Sequence, residues 1–137
     1  MSANYDVVIV GGGVVGSSIA YFLSANPDFD GSIAVIERDP YYTASSSSLS
    51  TSAIRQQFGT PPNIAMSKFS LDFLREVGTR LAVGGEPADI GLHEPGYLVL
   101  ATPERAEAQR AKNRVQRDMG VDIELIEQAD LARRFPW

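Results

Sequence analysis

Gly11, Gly13 and Gly16 form G-x-G-x-x-G, and an acid, Glu37, stands 21 residues beyond the last of them. Glycines at this spacing suit a dinucleotide. The first permits a tight turn, the second lets a pyrophosphate reach bare main chain, and the third allows close helix–strand packing. A carboxylate about 20 residues further on suits the hydroxyl pair of a ribose, which donates where the carboxylate accepts. Val14 and Val15, which open the element after the glycines, and Arg38, next to the acid, are assigned to the same cofactor site. Further along, the run "ASSSSLSTSAIRQQF" (44–58) sets seven hydroxyl side chains before an arginine, Arg55. Its composition reads as a solvated linker, and its hydroxyls could equally serve a ligand.

The flanking residues supply the elements that the glycine motif requires. Val7 to Val10 form a β-branched run, expected as a strand buried on both faces of a parallel sheet. Val15, Ile19, Phe22 and Leu23 recur at helical spacing, so the glycines sit at a strand-to-helix turn. Residues 25–31 read as a loop and Ser32 to Glu37 as the second parallel strand. The plain alternative is a βαβ unit whose glycines only make a turn and whose Glu37 is a solvated strand end. An acid at position 37 would repel a 2′-phosphate, which makes NADP the least favoured dinucleotide. The fingerprint by itself does not separate FAD from NAD.

Composition narrows the remaining classes. The chain has 137 residues, the size of one domain, and its 44% hydrophobic and 21% charged content suits a soluble globular protein. A net charge of −5 without a basic stripe disfavours a nucleic-acid partner. With no cysteine and one histidine, His93, neither a metal centre nor a Ser-His-Asp triad is expected. No apolar run approaches the roughly 20 residues of a membrane span, and a cytoplasmic setting is the expectation.

The rest of the chain offers elements rather than chemistry. A helix is expected from near Pro62, with Met66, Phe69, Phe73, Val77 and Leu81 on a core-facing side. Residues 84–96 read as a turn-rich loop carrying His93, and "GYLVLA" (96–101) as a buried strand. Thr102 is expected to cap a helix with Pro103 at its first position, Gly120 as its stop and a thin apolar face of Ala108, Ala111, Val115 and Met119. "VDIELI" (121–126) alternates like a strand, and "EQADLARRF" (127–135) reads as a short helix.

Taken together, the run from Tyr5 to Glu37, the serine-rich segment with "IRQQF" and the stretch "NIAMSKFSLDFLREV" resemble the FAD-dependent D-amino-acid oxidase superfamily. The likeness is greatest to its branch of sarcosine oxidases and dimethylglycine dehydrogenases, and "GYLVLA" and "LARRFPW" share it. The resemblance implies an α/β fold, an FAD-binding Rossmann-like βαβ unit followed by the beginning of a substrate domain. The domains would run 1–83 and 84–137. It implies that the serine-rich segment folds over the flavin, with Ser45, Ser46, Ser47 and Ser48 lining the cofactor. Ser52 and Ala53, at the start of the next helix, would lie near the isoalloxazine. Some relatives tether FAD through a histidine in this stretch. Serines stand there in this chain, so FAD is expected to bind non-covalently.

The resemblance assigns Arg55 to the carboxylate of a small-molecule amine or amino-acid substrate, which a guanidinium fork matches. Hydride would pass from the substrate's C–N carbon to flavin N5, leaving an imine to hydrolyse, and no general base is identified. Relatives of this kind are much longer, so the sequence reads as a truncated N-terminal part. On that reading, exposed apolar faces would favour homo-oligomerisation. Two alternatives stand beside it, a non-catalytic dinucleotide-binding fragment and an NAD-dependent dehydrogenase.

Overall fold

The computed structural model describes residues 4–137, which form two compact units divided between Ala53 and Ile54. The first is a βαβ unit. Strand β1 (Val7–Val10) leads into helix α1 (Val14–Ser24), and strand β2 (Ile33–Ile36) returns parallel to β1. The register pairs Val7 with Ile33 and Val10 with Ile36. Both ends of the ladder are extended. The Asp6 carboxylate accepts from the Ser32 amide and hydroxyl, each at 2.7 Å, and the Gly11 amide donates to the Ile36 carbonyl at 2.8 Å.

Burial departs from expectation on this sheet. Ile9 is buried on the side that packs against Gly16 of α1, whereas Val8 and Val10 on the other face are exposed, Val10 at 84%. Val15, Ile19 and Phe22 of α1 are also exposed. The β-branched run is therefore not buried on both faces. Among the described residues the sheet has two strands, and a two-stranded sheet with one helix leaves apolar surface uncovered.

The second unit is helical. Helix α2 (Pro61–Arg75) starts with a proline at its first position, where the missing N–H costs nothing. It is interrupted at Glu76 and followed by α3 (Val77–Arg80). The buried hydrophobic residues of this unit are Ile64, Val77 and Val121, while Met66 and Phe69, expected inside, are 61% and 59% exposed. A 3₁₀ turn (Pro103–Arg105) runs into α4 (Ala106–Asp118), and α5 (Gln128–Arg134) closes the chain. Thr102 holds the cap position without capping an amide. Its hydroxyl goes to the Glu104 carboxylate, whose ionised form it favours. Gly120 stops the helix at φ 69° as expected.

The buried side of α4 is polar. Ala108 and Ala111 are exposed, whereas Asn113 and Gln116 are buried, Gln116 at 1%. The reason is a hydrogen bond that the apolar pattern could not reveal. Gln116 Nε2 donates to the Phe58 carbonyl at 2.7 Å, so the amide goes inward to satisfy main chain. Lys68 of α2 ties down the same C-terminal end of α4, its Nζ donating to the carbonyls of Met119 at 2.6 Å and Gly120 at 3.2 Å. These are carbonyls that a helix terminus leaves unsatisfied. Lys68→Met should therefore cost about 1–2 kcal/mol, read as a lower denaturant midpoint at unchanged slope.

Neither "GYLVLA" nor "VDIELI" forms a strand. Tyr97, Leu98, Val99 and Leu100 are exposed, and Gln57 Nε2 donates to the Tyr97 carbonyl at 3.0 Å. A strand exists only when a neighbour completes its ladder, and the described residues provide none here. The loop after α3 carries exposed His93 and is pinned by a bidentate Arg75–Glu94 pair at 2.9 and 2.6 Å. Each partner of that pair favours the other's charged form.

Candidate functional site

The turn between β1 and α1 is the candidate site of the first unit. Gly11 has φ 99°, a conformation that a side chain would strain. Gly16 is buried in α1, and a Cβ there would fall inside the envelope of the Gly11 carbonyl and 3.1 Å from Ile9 Cγ2. The main chain thus turns sharply and the helix comes down directly onto the strand. Gly13 caps α1 with extended backbone, and a Cβ on it would meet only Ser47 Oγ at 3.7 Å. Space for a ligand group remains above the helix end.

Donors point into that space. The amides of Gly13, Val15 and Gly16 have no acceptor among the described residues, as expected for the first turn of a helix without a local side-chain cap. The Val14 amide donates to Ser47 Oγ at 3.2 Å. Further down the turn, the hydroxyls of Ser17 and Ser18 donate to the carbonyls of Gly12 and Val14, both at 2.6 Å.

Glu37 follows β2 immediately and reaches back to the turn. Its Oε2 accepts from the Gly12 amide at 2.7 Å and its Oε1 from the Asp39 amide at 2.9 Å. These bonds, Asp39 first and then Gly12, hold its carboxyl below the usual carboxylate range. Each oxygen still has acceptor capacity for a ribose hydroxyl, since a carboxylate offers about four lone-pair sites.

The serine-rich segment is folded, not a loose linker. The Ser48 amide donates to Ser45 Oγ at 3.1 Å, the two hydroxyls lie 2.9 Å apart, and the Leu49 amide donates to the Ser45 carbonyl at 3.1 Å. The structure therefore brings Gly12, Gly13, Val14, Glu37 and Ser47 together. Ser45 and Ser48 brace the turn behind Ser47, while Ser46, Arg38 and Val15 are exposed. Ser52, at φ 51°, and Ala53 end the first unit in irregular chain. They do not start a helix as expected, because α2 begins only at Pro61. Arg55 belongs to the second unit, where its guanidinium lies 5.3 Å from the centre of the Phe58 ring. Gly12 was not singled out by the sequence, although three consecutive glycines offered the cue.

Residues 6–137 match the family described as FAD dependent oxidoreductase (DAO). The chain belongs to this family. It is 45% identical over 135 residues to "FAD-dependent oxidoreductase domain-containing protein 1" of Xenopus laevis, covering 96% of this chain and 27% of that protein. The Bos taurus protein of the same name is 42% identical over 135 residues, covering 96% and 28%. A Drosophila melanogaster homolog is 39% identical over 132 residues, covering 96% and 25%. The chain thus spans about a quarter of the length of these FAD-dependent oxidoreductase relatives. No solved structure matches it.

The residues present fit the cofactor this family is named for. Open amides at the start of α1, a Gly13 without a side chain, the Ser47 hydroxyl and the ionised Glu37 form a donor and acceptor set for a pyrophosphate with its ribose. Among the described residues no cluster could hold a metal ion and no helix is long and apolar enough to cross a membrane.

Proposed function

We propose that this chain supplies the dinucleotide-binding end of an FAD-dependent oxidoreductase that oxidises the C–N bond of an amine or amino acid. One observation carries the nucleotide part: Glu37 is fastened to the Gly12 amide at 2.7 Å beside a helix start whose amides are open. On this reading Gly11, Gly13, Val14, Val15 and Gly16 receive the pyrophosphate, and Glu37, with Arg38 next to it, the adenosine ribose. Ser45 to Ser48 line the cofactor, and Ser52 and Ala53 approach the ring. FAD, when bound, supplies the two-electron acceptor. Binding is non-covalent, which the serines in this segment support.

The amine or amino-acid substrate and the sarcosine oxidase-like branch rest on "IRQQF", with Arg55 as the carboxylate-binding residue. A domain boundary near 83/84 belongs to the same reading. A second reading, a nucleotide-binding chain without turnover, is favoured by the open sheet face at Val8, Val10 and Ile36. Hydride transfer needs walls that exclude water, and an apolar face of this kind favours self-association. The FAD family disfavours the NAD-dependent alternative.

Gly13→Val tests the nucleotide part. The backbone at position 13, φ −61° and ψ −177°, accepts a β-branched residue, and Cβ itself has room. The variant should keep its circular dichroism and lose FAD binding by on the order of a hundredfold, because the valine methyls fill the phosphate's place. Unchanged FAD affinity in a folded variant would overturn the assignment.

A further inference from the structure

Tyr42 lies outside both the glycine motif and the serine run, yet its backbone is left-handed at φ 55°. Bulky side chains rarely adopt that region, and where they do the surroundings over-determine them. Here the agent is Asp39. Its carboxylate accepts from the amides of Tyr41 at 3.0 Å and Thr43 at 2.7 Å, and from the Thr43 hydroxyl at 2.7 Å. The Tyr42 amide donates to the Asp39 carbonyl at 3.0 Å, and the Ser45 amide to the Tyr42 carbonyl at 3.1 Å.

This turn directs the ring at the nucleotide motif. A Cβ placed on Gly12 would lie 3.1 Å from the Tyr42 hydroxyl, 3.5 Å from its Cε1 and 3.2 Å from Glu37 Cβ. The phenol therefore rests against the Gly12 main chain, in the corner where Glu37 is fastened. Its hydroxyl has no hydrogen-bond partner among the described residues, and the side chain is partly open to solvent.

We propose that Tyr42 is a binding residue for the adenosine half of the dinucleotide. The chemistry is complementary to that of Glu37. A carboxylate can only accept, so it takes the ribose hydroxyl protons and leaves the ribose and neighbouring phosphate oxygens in need of a donor. The Tyr42 hydroxyl supplies that donor from the same corner. The inference rests on the FAD reading above and adds a contact that the glycine fingerprint does not contain.

The test compares the unaltered chain with Tyr42→Phe and Tyr42→Asn, by calorimetric titration with FAD and with ADP and by thermal melting without ligand. Tyr42→Phe should weaken both nucleotides about 2- to 10-fold with the melting temperature unchanged, as for the loss of one hydrogen bond. Asparagine tolerates the left-handed backbone, so Tyr42→Asn should weaken both at least about tenfold while the unliganded chain melts no lower. Unchanged ADP affinity in both variants would overturn the proposal. So would affinity that falls only in step with melting temperature, which is the mark of a packing role. If the unaltered chain binds neither nucleotide, the nucleotide reading itself fails and the role of Tyr42 falls with it.

Discussion

Gly16→Ala is expected to unfold the first unit. The added methyl would collide with the Gly11 carbonyl, main chain that is itself fixed by the Gly11 amide bond to Ile36 at 2.8 Å. It would also press on Ile9 Cγ2 at 3.1 Å, the buried residue of β1. No flexible side-chain tip can give way, so α1 must lift from the strand. Overpacking against main chain costs about 3 kcal/mol or more, a large share of the stability of a small unit. Alanine's better helix propensity returns only about 1 kcal/mol. Thermal melting checks this directly, with Gly13→Ala as the control. There the methyl meets only Ser47 Oγ at 3.7 Å, and the melting temperature should hold. An alanine at position 16 that melts like the unaltered chain would show that helix and strand are not in this close contact.

Glu37→Gln should damage both the turn and the nucleotide site. Each Glu37 oxygen accepts one amide, Gly12 at 2.7 Å and Asp39 at 2.9 Å. A glutamine has one oxygen, so its NH₂ must face one of those N–H groups, donor against donor. The charge proposed to receive the ribose hydroxyls is lost as well. FAD affinity is expected to fall on the order of tenfold or more, as for a hydrogen bond to a charged group.

The same carboxylate also implies a pH dependence. Its folded pKa is depressed, so its contribution to stability is present above the ordinary carboxylate pKa. That contribution is lost as pH falls below the ordinary carboxylate range and through the folded value. Asp6, held down first by the Ser32 amide, and Asp39, held down first by the Thr43 hydroxyl, act in the same direction. Acid titration of circular dichroism should therefore show a loss of structure in this range that is smaller in Glu37→Gln. An identical acid transition in the variant would remove Glu37 from the turn's stability.

The βαβ unit was legible in the sequence because every local cue agreed. A β-branched run, the glycines, a helical period and a second apolar run at the right offset all specify one arrangement. What was not legible depended on partners. "GYLVLA" has strand composition, but no neighbour among the described residues completes its ladder. Met66 and Phe69 repeat at helical spacing yet are exposed, while Gln116 is buried to reach the Phe58 carbonyl. Periodicity records which residues are apolar, and it carries no information about main-chain carbonyls awaiting a donor.

The strand-to-helix turn of Gly11, Gly13 and Gly16 was readable from spacing, whereas the Gly12 bond to Glu37 and the Tyr42 ring beside Gly12 were not. The Tyr42 position follows from the Asp39–Thr43 turn, for which an aspartate four residues before a threonine is only a faint signal.

The measurement that bears most directly on the central claim is the absorbance spectrum of the purified chain after incubation with FAD and removal of unbound nucleotide, followed by denaturation. The account predicts flavin absorbance that stays with the folded chain and is released as intact FAD on denaturation. A folded chain that retains no flavin would contradict it.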